Sequence, residues 1–212
     1  MALPRIPAYQ PDFDLPAPRA PWTLDPGRAA LLVHDMQRYF VRPFGDAHAP
    51  LPGVVANIAA LLAAARAAGV PVFYTAQRGN QFRPDRGLQA DLWGPGMQAT
   101  PDHEEVIPDL APAPDDIVLV KHRYSAFQRS NLERLMRARG RDQLIVTGIY
   151  AHIGCLATAV EAFQLDIQPF PVIDAQADFS AEDHLDAMRW LGRTCAVPMR
   201  TDAVLTSLQT SV

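Results

Sequence analysis

Four short apolar runs of the 212-residue chain each break off near a residue that can carry chemistry. Ala29–Val33 stops at His34-Asp35, Val70–Thr75 is followed by Gln77, and Ile117–Val120 by Lys121. Gln143–Thr147 runs into the turn Gly148-Ile149-Tyr150-Ala151-His152-Ile153-Gly154. If the runs are parallel strands, a ligand binds beyond their carboxyl ends, where loops and helix N-termini converge. A carboxylate and a lysine meeting at such a rim form a pair whose proton affinity is set by burial and by each other's charge. The glycine-bearing turn feeds a helix, so its backbone N–H groups can receive an anion or a developing oxyanion. Each feature alone also has a plainer reading: a structural salt bridge for Asp35 and Lys121, an ordinary connector for the turn. His34 and His152 border the region and are read as packed, tautomer-fixed hydrogen-bonders rather than bases.

The elements that must position these residues follow from periodicity. Continuously apolar strands alternating with segments of helical period signal βαβ units covered on both faces. The spacing predicts helices over 53–68, ending at Gly69, over 131–139, ending at Gly140, over 155–165, and from a Ser180 N-cap to Leu191. Strands are expected at Phe170–Ile173 and, last, at Ala196–Met199. Residues 76–114 have little periodicity, and a stretch of that length inside a compact domain reads as a functional loop. Prolines at 4, 7, 11, 16, 18, 21 and 26 make residues 1–26 an extended arm rather than helix or central strand. The expectation is one domain, 27–212, of three-layer α/β/α architecture with a mainly parallel central sheet.

Composition removes other function classes. Hydrophobic residues are 49% and charged residues 20%, ordinary globular usage. With 19 Lys+Arg against 23 Asp+Glu the net charge is −4, which is not the basic footprint of a nucleic-acid binder. Apolar runs stay well below the roughly 20 residues of a membrane span, and the first 21 residues lack a signal-peptide core, so a cytoplasmic address is expected. Cys155 and Cys195 are too few for a disulfide framework and are read as small buried residues. Asp46-Ala47-His48 has the Asp-x-His form of some metal sites, but no further histidine follows at a suitable interval, so neither metal nor cofactor is expected.

Longer stretches resemble the isochorismatase family: Leu31-Leu32-Val33-His34-Asp35-Met36-Gln37-Arg38-Tyr39-Phe40, Tyr74-Thr75-Ala76-Gln77, Arg86-Gly87-Leu88 and Trp93-Gly94-Pro95-Gly96-Met97. The likeness continues through Lys121 with Arg123-Tyr124-Ser125-Ala126-Phe127, Gly140–Leu144, Gly148–Cys155, Asp166–Phe170 and Ala177–Ser180. It covers the chain from Trp22 to about Asp202. The resemblance implies vinyl-ether hydrolysis with release of pyruvate. Asp35 would be the general acid that protonates the enolpyruvyl methylene, and Lys121 its neighbour. Gln77, Arg86, Trp93, Tyr150 and Gly154 would contact substrate, Arg86 by gripping a carboxylate with its planar fork. Arg78, Arg83 and Arg123 could add positive potential. The same likeness implies a cis peptide between Ile149 and Tyr150.

The wider superfamily includes amidases with an Asp–Lys–Cys triad. Counted from Gly148, the cysteine position of their turn falls on Gly154. Cys155 comes one residue later, a rotation of about 100° on a helix, and should point away from Asp35 and Lys121. Departures from the family pattern are Arg78, where a proline is usual, and His122, where a tryptophan is common. Two small-molecule substrates fit, isochorismate and 2-amino-2-deoxyisochorismate, the former on siderophore routes and the latter on phenazine routes. A chain ending at Val212 is expected to be free-standing, without an aryl carrier domain, and the family and the arm suggest a homodimer. The alternatives are a superfamily amidase acting on a small amide and a catalytically silent binding protein of the same fold.

Overall fold

The computed structural model describes residues 3–45 and 48–209, and Asp46 of the Asp-x-His pattern lies outside them. The described residues form β1 (Ala29–His34), α1 (Arg38–Val41), α2 (Leu51–Ala67), β2 (Val72–Ala76), α3 (Arg83–Arg86), α4 (Gln89–Trp93) and α5 (Pro101–Glu104). There follow β3 (Ile117–Val120), α6 (Leu132–Arg137), β4 (Gln143–Ile149), a π-helical turn (Ala151–Cys155) and α7 (Leu156–Gln164). Then come β5 (Gln168–Ala177), α8 (Ala181–Thr194) and α9 (Thr201–Gln209).

The five strands pair in parallel in the order β3-β2-β1-β4-β5. β1 sits at the centre, and all six of its residues are buried. Its alternation divides the core. Leu31 and Val33 pack with Ile58 and Leu61 of α2 and Val204 and Leu208 of α9, while Ala30 and Leu32 pack with Leu132 and Met136 of α6 and Ala162 of α7. This is the expected three-layer α/β/α arrangement, with every sheet pairing parallel.

Several boundaries differ from the sequence reading for local reasons. The apolar spacing that suggested a helix from Cys155 begins instead with the π-turn, and the α-helix opens at Leu156. α8 runs past Leu191 to Thr194, and the Ser180 hydroxyl caps it by accepting from Asp183 N at 3.0 Å. The expected last strand is not a full strand. Residues 197–199 run along the outer edge of β5, with Val197 N donating to Pro169 O, Met199 N to Pro171 O and Ile173 N to Met199 O. Pro169 and Pro171 supply no N–H, so the ladder stays incomplete and only the Val172–Met199 bridge forms. The aperiodic 76–114 stretch holds three short α-helices and a 3-10 turn at Pro108–Leu110, and α9 carried no signal that the strand-and-helix alternation required.

The N-terminal arm is tied to the body at intervals. Ile6 is buried and its N–H donates to Pro43 O at 3.1 Å. The Tyr9 hydroxyl accepts from Asp178 N at 2.7 Å and lies 3.0 Å from His184 Nδ1. Phe13 packs edge-on against the same imidazole.

Candidate active site

The sheet register brings the strand ends to one rim. His34 is level with Thr75 of β2 and with Gly148 of β4, so Asp35, Gln77, Lys121 and the 148–154 turn converge. Asp35 has φ +51°, in the region where Asp is among the few side chains tolerated, and this turns its carboxylate away from the strand direction.

Three donors reach that carboxylate. Lys121 Nζ lies 2.9 Å from Oδ2, Gln77 Nε2 donates to Oδ2 at 3.3 Å, and Thr75 Oγ1 donates to Oδ1 at 2.8 Å. Asp35 and Lys121 are 4% and 2% exposed, so little water screens the pair. Lys121 also donates to the carbonyls of Arg123 at 2.8 Å and Tyr124 at 3.2 Å. Its three N–H bonds are thereby all engaged. Burial pushes the Asp35 carboxyl up, but the adjacent Lys121 ammonium and the hydrogen bonds outweigh it and hold the group below the usual carboxylate range. In the free protein Asp35 is ionised.

Above this pair lies a pocket whose wall includes Gln77, Arg86, Trp93, Lys121, Tyr150 and Gly154, together with Asp35. The expected acid, its lysine and the five expected substrate-contacting residues thus border one cavity. Their engagements differ. Arg86 is 7% exposed, its Nε donates to Gly94 O at 2.7 Å, and no carboxylate among the described residues pairs with it. A buried guanidinium without an acidic partner is costly unless an anion joins it. The Trp93 indole donates to the Tyr124 hydroxyl at 2.7 Å. The Tyr150 hydroxyl donates to Phe40 O at 2.6 Å, so this residue offers its ring face and backbone rather than a free hydroxyl. Phe179 lies against that ring, centroids 4.4 Å apart, and Phe44 stacks near it at 6.1 Å. The Ile149–Tyr150 peptide is cis.

Other arginines do not join. Arg83 pairs with Asp91 at 3.2 Å, and Arg123 Nη1 donates to the carbonyls of Asp85 and His122 at 2.6 and 2.7 Å. Neither these two nor Arg78 nor His122 borders the pocket. His152 binds Asp178 twice, through its N–H and Nδ1, each at 2.6 Å, and serves the turn rather than the cavity. The Cys155 thiol is fully buried against the α6–α7 side of the core, and burial pushes it well above its ordinary pKa. It cannot act as a nucleophile toward the pocket.

Two contributors were missed in the sequence. Thr75 braces Asp35, and its place as the β2 residue level with His34 is the signal that would have found it. Gln37, wholly buried, holds the Gln77 main chain at both ends, accepting from its N–H at 2.7 Å and donating to its carbonyl at 2.8 Å. Nothing in a lone glutamine three residues past a strand announces such a clamp.

Known proteins resemble this chain along most of its length. Residues 29–203 match the isochorismatase domain family model. The chain is 51% identical to the isochorismatase of Bacillus subtilis, over 99% of this chain and 68% of that protein. It is 53% identical to the phenazine biosynthesis protein PhzD of Pseudomonas fluorescens, over 91% and 92% respectively. Among solved structures, a cysteine hydrolase from Pseudomonas syringae superposes with a TM-score of 0.82 at 28% identity, over 94% of this chain and all of that one.

Proposed function

The chain belongs to the isochorismatase family, and from that premise we propose that it hydrolyses the vinyl ether of isochorismate, or of 2-amino-2-deoxyisochorismate, and releases pyruvate. The observation that carries the reading is a buried carboxylate–lysine pair in a pocket with an unpaired guanidinium and no accessible thiol.

Both substrates are dicarboxylates, and Arg86 is the group suited to take one carboxylate in a two-point grip. Binding a dianion beside Asp35 raises that group's proton affinity, so it gains a proton as the complex forms. The protonated Asp35 then delivers it to the enolpyruvyl methylene carbon, which becomes a methyl group and leaves an oxocarbenium ion. Water adds to that cation and gives up a proton. The resulting hemiketal breaks its ether C–O bond, the ring oxygen leaving as an alcohol and the side chain as pyruvate. Lys121 holds Asp35 in place and, with all its N–H bonds engaged, is a positioning group. Gln77 orients Oδ2, while Tyr150, Gly154 and Trp93 shape the wall. The body of the chain from residue 27 acts as one hydrolase unit with the Pro-rich segment as its arm.

The test is pyruvate release, by coupled lactate dehydrogenase, with each substrate. The expected result is release by the wild type and a loss of about 10²–10⁴-fold in D35N, the range of a general acid. D35N is preferred to D35A because the amide keeps an acceptor for the buried Lys121. Binding of either substrate without release would identify a silent binding protein. Turnover of a small amide instead would identify an amidase.

Association of two copies and a cytoplasmic site of action belong to the same proposal. In support of the first, the edge strand β3 exposes Val118 and Val120, an apolar strip a second copy would cover. Among the described residues no helix is long and apolar enough to cross a membrane. Sedimentation equilibrium would check the dimer.

A further inference from the structure

His34 ends β1 beside Asp35 and is 1% exposed. Its Nδ1 donates to Ile149 O at 2.8 Å, its Nε2 lies 3.3 Å from Tyr124 O, and Asp35 Oδ2 is 3.9 Å from Nδ1. Lys121 donates to the same Tyr124 carbonyl. The ring therefore joins the ends of β1 and β4 and the loop after β3 beneath the pocket. Gly154 faces it. A Cβ built on Gly154 would lie 2.2 Å from His34 Cε1 and 2.8 Å from Nε2, far inside contact distance. The ring has no easy retreat. Its backbone is pressed against β4 so closely that a Cβ on Gly148 would come within 2.1 Å of the His34 carbonyl oxygen.

We propose that His34 is a specificity-determining residue, its ring filling the space of any side chain at position 154 and so keeping a protein nucleophile out of the pocket that holds Asp35 and Lys121. A thiol or hydroxyl there would stand beside the carboxylate–lysine pair, which could then take its proton. With the ring in place the pair has no side chain to activate, and water is the only nucleophile. That last consequence rests on the proposed vinyl-ether reaction; the steric exclusion does not.

The experiment compares G154C with the double variant H34V/G154C by iodoacetamide labelling and intact mass, with the wild type as the control for the buried Cys155 and Cys195. The double variant is expected to label at least fivefold faster than G154C, because valine vacates the ring volume. A ratio under fivefold overturns the proposal. Should the thiol variants not fold, melting temperatures of G154A and H34V/G154A decide. Valine at position 34 should recover at least half of the loss caused by G154A, and less recovery overturns the proposal. Absence of pyruvate release by the wild type would count against the proposed function and leave the labelling result standing.

Discussion

Asp35 accepts hydrogen bonds from Lys121, Thr75 and Gln77, and that set of donors suits an anion rather than an acid. A group that must donate a proton yet rests ionised has to acquire it from solvent during the catalytic cycle. Because kcat/KM refers to free enzyme and free substrate, its logarithm should fall with a slope approaching −1 as pH rises from 5 to 8. A flat profile over that range would mean that Asp35 rests protonated. The same sign predicts proton uptake on binding a non-reacting dicarboxylate at pH 7, seen as a calorimetric heat that changes with the ionisation enthalpy of the buffer. Arg86 makes a separate prediction. Replacing the fork by an uncharged amide in R86Q should raise KM by about 10–100-fold and leave kcat less affected, the loss of one charge-assisted bidentate contact.

At the scale of elements, the β1–β4 seam decides whether the site exists. Gly148 has φ +106° in that seam, a backbone state that side chains rarely adopt, and faces the His34 carbonyl. G148A should cost about 3 kcal/mol or more from strain and overpacking together. For a chain of this size that lowers the melting temperature by roughly 6–12 °C, readable by calorimetry. Much of this scale was legible beforehand. Apolar runs marked β1 and β3 to within a residue, since strands covered on both faces need unbroken hydrophobicity, and their ends located Asp35 and Lys121. The π-turn was not legible, because periodicity registers side-chain facing and not the i→i+5 bonding of a widened turn. β5 outruns the expected Phe170–Ile173 at both ends, reaching back through Pro169, on an edge where a missing N–H is tolerated, to Gln168, and on to Ala177. The commitment of the Tyr150 hydroxyl to Phe40 O was not legible, because it is a tertiary pairing between residues 110 apart that no local pattern encodes.

For the whole molecule, the arm is the feature that connects distant parts. His184, wholly buried between Tyr9 and Phe13, is pushed down by burial to about 3 from 6.5. Its folded value lies below its unfolded one, so below pH 6.5 the unfolded chain binds a proton that the native state refuses. Stability should therefore decline as pH falls from about 6.5 toward 3 and level off beneath that. H184Q should flatten this part of a melting-temperature profile, and an unchanged slope would assign the acid sensitivity to other groups. Another partner of the arm is Asp178, whose main chain binds Tyr9 and whose carboxylate holds His152 of the turn that completes the pocket.

Tyr9 and Asp178 are 169 residues apart. On a ribosome adding roughly 5–20 residues each second, the arm emerges first and waits on the order of 10–30 s for its partner. Until then the pocket wall has neither its Phe179 side nor its tether. On the proposed function, a nascent chain stalled before residue 178 would therefore carry Asp35 without a complete pocket around it.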